Sequence, residues 1–439
     1  MEPVPGSFDL ESHAVEAVGR VNLLALIAAG YDGPYADEIR TAVERATRVS
    51  LLFQDPSGQC PMNGRTGDHV FNDVLYALAF EIMAERAHTQ GDARLAAQYR
   101  HAAMLSFQSI GRWRRTDPDW EGSFYITKNH FDPAERVGYQ PASNWGNYNG
   151  AVMMHLAEAW LARKSPIPEQ PAPAEIGGYA LAADWGFGSV FANAGGMQLA
   201  ANLRGDTIPR YDTYWSPLGV VRLGRVGWDT RPGPSDGVRD TASKRGVTFA
   251  PTWKGSGGAW VRLADVAESY RGQFDVVFCH PLLVRCRIQY QPIAEGGGLR
   301  FQHEFTLTPD GILARLTASG AGEFGVTLPL VEDDGKPLET AVGDRVASTR
   351  YPGAADQQNF IALDPEARFD RTEPPLRSPY GWLRRVRLTG NVFVYPRGAG
   401  DPEAETVRAG FRRTRTGLYS PLGRVEGNLY IGCNSRAAG

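Results

Sequence analysis

Residues able to move a proton or hold a developing negative charge gather in two stretches of the chain. "MNGRTGDHVFNDV", residues 62–74, offers Asn63, Arg65 and His69, and "NHFDPAERVGYQPASNWGNYNGA", residues 129–151, offers Asn129, His130, Arg136, Tyr139, Asn144, Trp145 and Tyr148. A His or Tyr of suitable pKa takes or returns a proton. Amides and Arg stabilise the anion that forms as the proton leaves. Each group also has a plainer reading. Asp68 is well placed to cap a helix opening at His69, which would leave His69 a first-turn residue facing solvent. Asn63-Gly64 is a good turn pair by itself, and amides in a long loop often satisfy their own backbone. Trp120 and Trp145 suit a core plug as well as a platform for a sugar ring. The run "GRWRR", with Arg112, Arg114 and Arg115, reads as a solvated helix end, of interest only if an anionic ligand needs local positive charge.

The elements that must position these groups follow from periodicity. Apolar residues recur at i, i+3, i+4 in "AVEAVGRVNLLALIAAGY", "YADEIRTAVERATRVSLLF", "HVFNDVLYALAFEIMAERA", "ARLAAQYRHAAMLSFQSIGRW" and "NGAVMMHLAEAWLARK", which predicts five helices between residue 11 and about residue 165. Short and long connectors alternate, the rhythm of antiparallel helical hairpins. The long connectors, 54–68 and 114–148, are therefore expected to emerge at one end. "RKSPIPEQPAPAE" cannot continue a helix and marks a boundary. Beyond it the period becomes two, in segments such as "DVVFCHPLLVRCRIQYQPI" and "LRFQHEFTLTPDGILARLTASG", with turn signals such as "PDG". About 260 residues of this pattern predict a large antiparallel β-sandwich. The expected organisation is a helical domain at 1–164, a Pro-rich linker at 165–176 and a β-sandwich domain at 177–439.

Composition excludes several classes. A chain of 439 residues with 42% hydrophobic and 22% charged residues buries a large core. Its formal net charge of -3 argues against nucleic acid or an anionic membrane as partner, so an acidic ligand would need a local basic site. Cys60, Cys279, Cys286 and Cys433 are too scattered for a disulfide framework or a zinc pair. No nucleotide-binding glycine loop follows a strand, and no cofactor is expected, although a structural divalent metal in the β region stays open. "MEPVPGSFDLESHAVEA" lacks the basic and apolar regions of a signal peptide. Read literally the chain is soluble and unexported; missing upstream sequence is the alternative, because the helical pattern starts almost at once.

Helical hairpins followed by a large antiparallel sandwich resemble the polysaccharide lyases of the heparinase II/III and alginate-lyase type, an α+β multidomain class that joins an incomplete (α/α) toroid to a β-sandwich. The likeness in motif is carried by "MNGRTGDHVFNDV" and "SNWGNYNGAVMMHLAEA". It implies cleavage of a uronic-acid glycan, with an Asn-His pair opening one inner helix and a Tyr near the start of a later one. His69 stands at the matching helix start, with Asp68 where the Asn would be. Tyr148, or alternatively Tyr139, lies in the Tyr-bearing stretch, although Trp145 occupies the Tyr position itself. The HxHxD signature that opens the family's sandwich is absent, the stretch reading "SVFANAGGMQLAANL". On this reading His69, Tyr148, Tyr139, His130 and Arg65 are the catalytic candidates. Asn63, Asn129, Arg136, Asn144, Trp120 and Trp145 are the substrate-binding ones.

Two other functions compete. A glycoside hydrolase on the same scaffold would use paired carboxylates such as Asp117, Asp119 or Glu121. A non-catalytic glycan-binding protein would use the aromatics alone. His280 and His303 lie in predicted strands, from which one could still reach the site. The partner expected is a poly- or oligosaccharide, and homo-oligomer formation is left open. Five helices make two and a half hairpins against the about twelve helices of a closed toroid, so the outward face of the first helix is expected to be apolar.

Overall fold

The computed structural model describes residues 13–61, 69–132, 134, 148–183, 187–205, 217–225, 248–294, 298–319, 323–354, 357–363, 367–371, 376–378, 381–388, 392–397, 412–414, 417–420 and 423–425. The long helices among them are α1 (His13–Ala28), α2 (Ala36–Phe53), α3 (Val70–Thr89), α4 (Ala93–Arg112) and α5 (Tyr148–Ala162). α3 is packed by each of the other four. It is apolar on nearly every side, as a helix enclosed by neighbours must be. The α3–α4 hairpin turns at Gly91, whose φ of 82° suits a residue without a Cβ. Asp92 then caps α4 by accepting from Leu95 N at 3.0 Å.

The start of α3 is built differently. His69 is its N-cap, yet its side chain makes no capping hydrogen bond. The backbone of the post-α4 segment does that work: Val70 N donates to Ile126 O at 3.0 Å, and His69 pairs with Thr127 as an antiparallel bridge. The described parts of both long connectors therefore meet at one end of the hairpins. Asp73, fully buried one turn into α3, ties them together. Its Oδ1 accepts from Cys60 N at 2.9 Å, its Oδ2 accepts from Ser109 Oγ at 2.8 Å, and Lys128 Nζ lies 3.0 Å from Oδ2. Lys128 is almost fully buried too and donates to Gln59 Oε1 at 3.1 Å.

After α5 the Pro-rich run lies against α3 and α4. Glu85 accepts from Lys164 N and Ser165 N at 2.9 and 2.8 Å, and Gln170 N donates to Ala97 O. Ile167, Ala172 and Ala174 are buried. A single turn, α6 (Pro173–Ile176), leads into the sheets.

The first sheet has β1 (Gly177–Ala183), β2 (Ser189–Ala194), β3 (Met197–Asn202) and β4 (Gly219–Arg225) in that order. Next come β5 (Ala250–Lys254), β6 (Trp260–Arg262), β7 (Tyr270–His280), β8 (Leu283–Pro292), β9 (Arg300–Thr308), β10 (Gly311–Ser319), β11 (Phe324–Asp333), β12 (Glu339–Val342), β13 (Val346–Arg350) and β14 (Gln357–Ala362). β15 (Phe369–Asp370), β16 (Leu376–Ser378), β17 (Gly381–Leu388) and β18 (Val392–Arg397) follow. An eight-stranded sheet runs β12-β13-β14-β18-β10-β9-β8-β7, and a further sheet runs β15-β17-β11-β5-β6, with antiparallel pairing throughout. A Val220–Phe249 bridge joins β4, at the edge of the first sheet, to the residue that leads into β5, and both sheets pack on the eight-stranded one. The core between them takes alternate residues of each strand, such as Val284, Cys286, Ile288 and Tyr290 of β8. The chain is thus an α+β protein, helical first and an antiparallel sandwich afterwards.

The other face of β1–β4 meets the helices. Ala200 and Ala201 of β3 pair with Arg222 and Val220, which leaves Val221 as an extra residue. Such a bulge re-aims its neighbours. Val221 packs with Phe53 and Phe191, while Arg222 Nη1 donates to Cys60 O at 2.8 Å. Gln198 Nε2 donates to Gln54 O at 3.0 Å and Tyr179 Oη to Leu52 O at 2.9 Å. His13 stacks on Phe187 with its centroid 4.1 Å away. The outward face of α1 carries apolar side chains, Val18, Leu23 and Leu26 being exposed there, and on α5 Trp160 is 75% exposed.

Two consequences can be measured. Removing one partner of a buried ion pair leaves an uncompensated charge, so Asp73→Ala is expected to cost about 3–5 kcal/mol in denaturant unfolding. Asp73→Leu with Lys128→Met should recover only part of this, since Cys60 N–H stays buried without its acceptor. The second concerns pH. Burial lowers the pKa of both His13 and His303 to about 3, with Arg20 adding to the effect at His13. Between about pH 6.5 and 3 the unfolded chain therefore binds more protons, and stability falls as pH falls. His303→Leu should flatten that slope by up to about 1.4 kcal/mol per pH unit, read from urea midpoints between pH 7 and 4.

Candidate functional site

His69 and Tyr148 open α3 and α5, and the packing of these two helices brings their rings together edge to face, with centroids 5.2 Å apart. Phe71 lies against the same Tyr148 ring at 5.8 Å. His69 is fully buried, which corrects the reading of it as a first-turn residue facing solvent; the cause is the strand-like segment 124–130 laid across the start of α3. Asn149, beside Tyr148, fastens that segment to α5: its Oδ1 accepts from Phe124 N at 2.8 Å. Two helix starts and one extended segment thus fix the two rings.

Farther along the segment stand Lys128, Asn129 and His130. Asn129 is fully buried, and its Oδ1 accepts from Phe131 N at 3.1 Å, closing a turn on itself. His130 lies three residues beyond the bridge at Thr127, past a tight turn in which Asn129 N donates to Thr127 O at 2.6 Å. Its ring is bordered by Trp113 at 5.2 Å, Tyr125 at 5.7 Å and Tyr351 at 6.0 Å. The sandwich reaches it too: Asp334 Oδ2 is 3.2 Å from His130 Nδ1, and Asp334 O accepts from His130 N at 2.6 Å. Asp334 and Tyr351 were not among the residues singled out in the sequence. The available signal was the turn sequence "DDGK", more than 200 residues away from His130.

Arg115 also departs from expectation. It is buried, not a solvated helix end, because its guanidinium sits over both Trp120 and Tyr125, 5.1 and 5.0 Å from their centroids. Its Nε and Nη2 donate to the two oxygens of Asp117 at 2.8 and 2.6 Å. These bonds hold the Asp117 carboxyl below its ordinary range. Asp119 and Glu121 are exposed. Trp120 is half-buried and carries Arg115 on its face. Arg222 adds positive charge near the loop after α2, beside Gln59 and Cys60.

His280 is exposed at the β7–β8 turn, where its Nδ1 accepts from Leu282 N at 3.2 Å. His303 is wholly inside the sandwich, against Phe249 and Phe305 at 5.0 and 4.3 Å. Neither lies beside the His69–Tyr148 pair. Asn63, Arg65, Arg136, Tyr139, Asn144 and Trp145 fall outside the described residues. Among the described residues no helix is long and apolar enough to cross a membrane.

No family model matches the sequence, and no curated protein matches it. Solved structures do. Heparan sulfate lyase HepC from Pedobacter heparinus is 12% identical over 91% of this chain and 62% of its own, with a TM-score of 0.35. Chondroitin AC lyase from Streptomyces coelicolor A3, solved with chondroitin sulphate, is 12% identical over 90% of this chain and 53% of its own, with a TM-score of 0.45. A 4-alpha-glucanotransferase from Thermococcus litoralis is 13% identical over 89% of this chain and 56% of its own, at 0.32. The chain therefore spans between 53% and 62% of the length of these proteins. At such identity the likeness is one of fold and transfers no residue's role: the chain is similar to polysaccharide lyases that join helices to antiparallel sheets.

Proposed function

We propose that the chain is a polysaccharide lyase that cleaves a uronic-acid glycan by β-elimination where the helices meet the sandwich. In this proposal 1–164 is the helical domain, 165–176 its connection and 177–439 the sandwich. The observation that supports it most is the pairing of His69 with Tyr148 at the starts of two neighbouring helices. Elimination begins when a base takes the proton on C5 of the uronate. The C–H electrons become the C4–C5 double bond, the C4–O bond breaks, and the leaving oxygen takes a proton from an acid. His69, Tyr148 and His130 are the groups proposed to accept and return these protons. Charge developing on the carboxylate calls for donors nearby, the role proposed for Asn63, Arg65, Arg136 and Asn144. Helix starts suit an anion in the same way.

A hydrolase is the weaker reading. Its general acid needs a raised pKa, whereas Asp117 is held low by Arg115. A panel of uronic-acid polysaccharides tests the proposal. Elimination gives a product with new ultraviolet absorbance; reducing ends without absorbance mean hydrolysis, and binding without product means a binding module. Tyr148→Phe is expected to reduce turnover about a hundredfold or more while the thermal midpoint moves little, and His69→Ala, which also empties a buried site, to reduce turnover by far more than its loss of stability accounts for. Tyr139→Phe is the paired control. Loss of folding in step with loss of activity would return these residues to the scaffold.

A further inference from the structure

The turn between β11 and β12 reaches across to His130 with more contacts than joining two parts of a chain requires. Gly335 makes the approach: its φ is 97°, and a Cβ there would stand 2.2 Å from His130 C and 2.5 Å from His130 O. Only glycine fits without moving the backbone. That clearance lets Asp334 O accept from His130 N at 2.6 Å, which would suffice to dock the turn. The Asp334 carboxylate does something further. It is fully buried, its Oδ1 accepts from Lys336 N at 3.2 Å, and its Oδ2 faces His130 Nδ1 at 3.2 Å. Tyr351 Oη donates to the same Oδ2. His130 Nε2 makes no hydrogen bond among the described residues, and the side chain is 15% exposed.

We infer that Asp334 and Tyr351 are positioning residues that hold His130 as the Nδ1–H tautomer and leave Nε2 to exchange a proton with the glycan. This rests on the lyase reading. An ionised carboxylate only accepts, so a ring facing it at Nδ1 must place its hydrogen there; the opposite tautomer would set a lone pair against the carboxylate. The nitrogen left over is then a base with a fixed direction. Tyr351 keeps the carboxylate from rotating away, and Trp113 and Tyr125 border the imidazole. A turn that merely fastened the sandwich to the helices would use the carboxylate for Lys336 N alone and would need neither its second oxygen at the ring nor the phenol.

The tautomer can be read without substrate, from the ring-nitrogen shifts of histidine-labelled protein in mildly alkaline buffer. His130 of the unaltered chain is expected to carry its hydrogen on Nδ1. In Asp334→Asn, Lys336 N–H still calls for an acceptor at the Oδ1 position, so the amide NH2 turns to the ring and the hydrogen moves to Nε2. An Nε2–H ring in the unaltered chain, or the same tautomer in Asp334→Asn, overturns the positioning role even if the chain cleaves glycans. The expected tautomers in a chain that eliminates no glycan leave the positioning intact and sink the lyase reading alone. Where elimination is measured, Asp334→Asn should lower kcat about a hundredfold or more with KM little changed, and Tyr351→Phe should lower it less. A rise in KM at constant kcat for Asp334→Asn would instead mark a binding contact and count against the role.

Discussion

The end of the helical domain that holds the candidate site depends on one buried carboxylate. Asp73 is enclosed with Lys128, and neither charge could stay there alone. Each of its partners comes from a different stretch: Cys60 from the loop after α2, Ser109 from α4, Lys128 from the segment after α4. A network of this kind is stable only when complete, since an unsatisfied member costs more than a satisfied one returns. The two connectors are therefore fixed together or not at all. His69 stands four residues before Asp73 and His130 two after Lys128, so their setting depends on it.

Contact between helices and sheets is of a different kind. Gln198, Arg222 and Tyr179 project from β3, β4 and β1 and donate to main-chain carbonyls of residues 52–60. The loop after α2 is buried, and buried carbonyls need donors. The sheet supplies them. In return the end of α2 presents Phe53 to Phe191 and Val221, so the junction has a small apolar centre within a polar rim. This explains why Val221 is bulged out: without the extra residue, Arg222 and Val221 could not both serve the helical side.

Periodicity carried most of the fold. The five helical patterns correspond to α1–α5, and "DVVFCHPLLVRCRIQYQPI" and "LRFQHEFTLTPDGILARLTASG" to the β7–β8 and β9–β10 hairpins. Local signals of this sort depend on neighbours in sequence, which a reader of sequence has. The pairing of His69 with Tyr148 was half legible, since both stand at helix starts, but their distance depends on how α3 and α5 pack. Arg115 was misread because its cover, Tyr125, lies on the far side of a turn. Asp334 and Tyr351 could not be read at all. Their relation to His130 arises only when a turn of the sandwich meets the helical domain, and no spacing within either stretch encodes it. His303 stands at an inward position of a strand whose alternation calls for an apolar residue, and pattern alone does not say that it stays there unpartnered.

The Pro-rich run between the helices and the sheets has a consequence for how the chain withstands digestion. A protease needs several residues of extended, free backbone in its groove. Here the amides of Lys164, Ser165 and Gln170 are already engaged, and Pro166, Pro168, Pro171 and Pro173 offer none. Arg100, buried beneath, donates to Ser165 O at 3.2 Å and so holds the run from its carbonyl side as well. The stretch that composition marks as the natural place to cut is thus among the better guarded connections. Trypsin at low dose would have to lift the run off α3 and α4 before it could separate the two halves there.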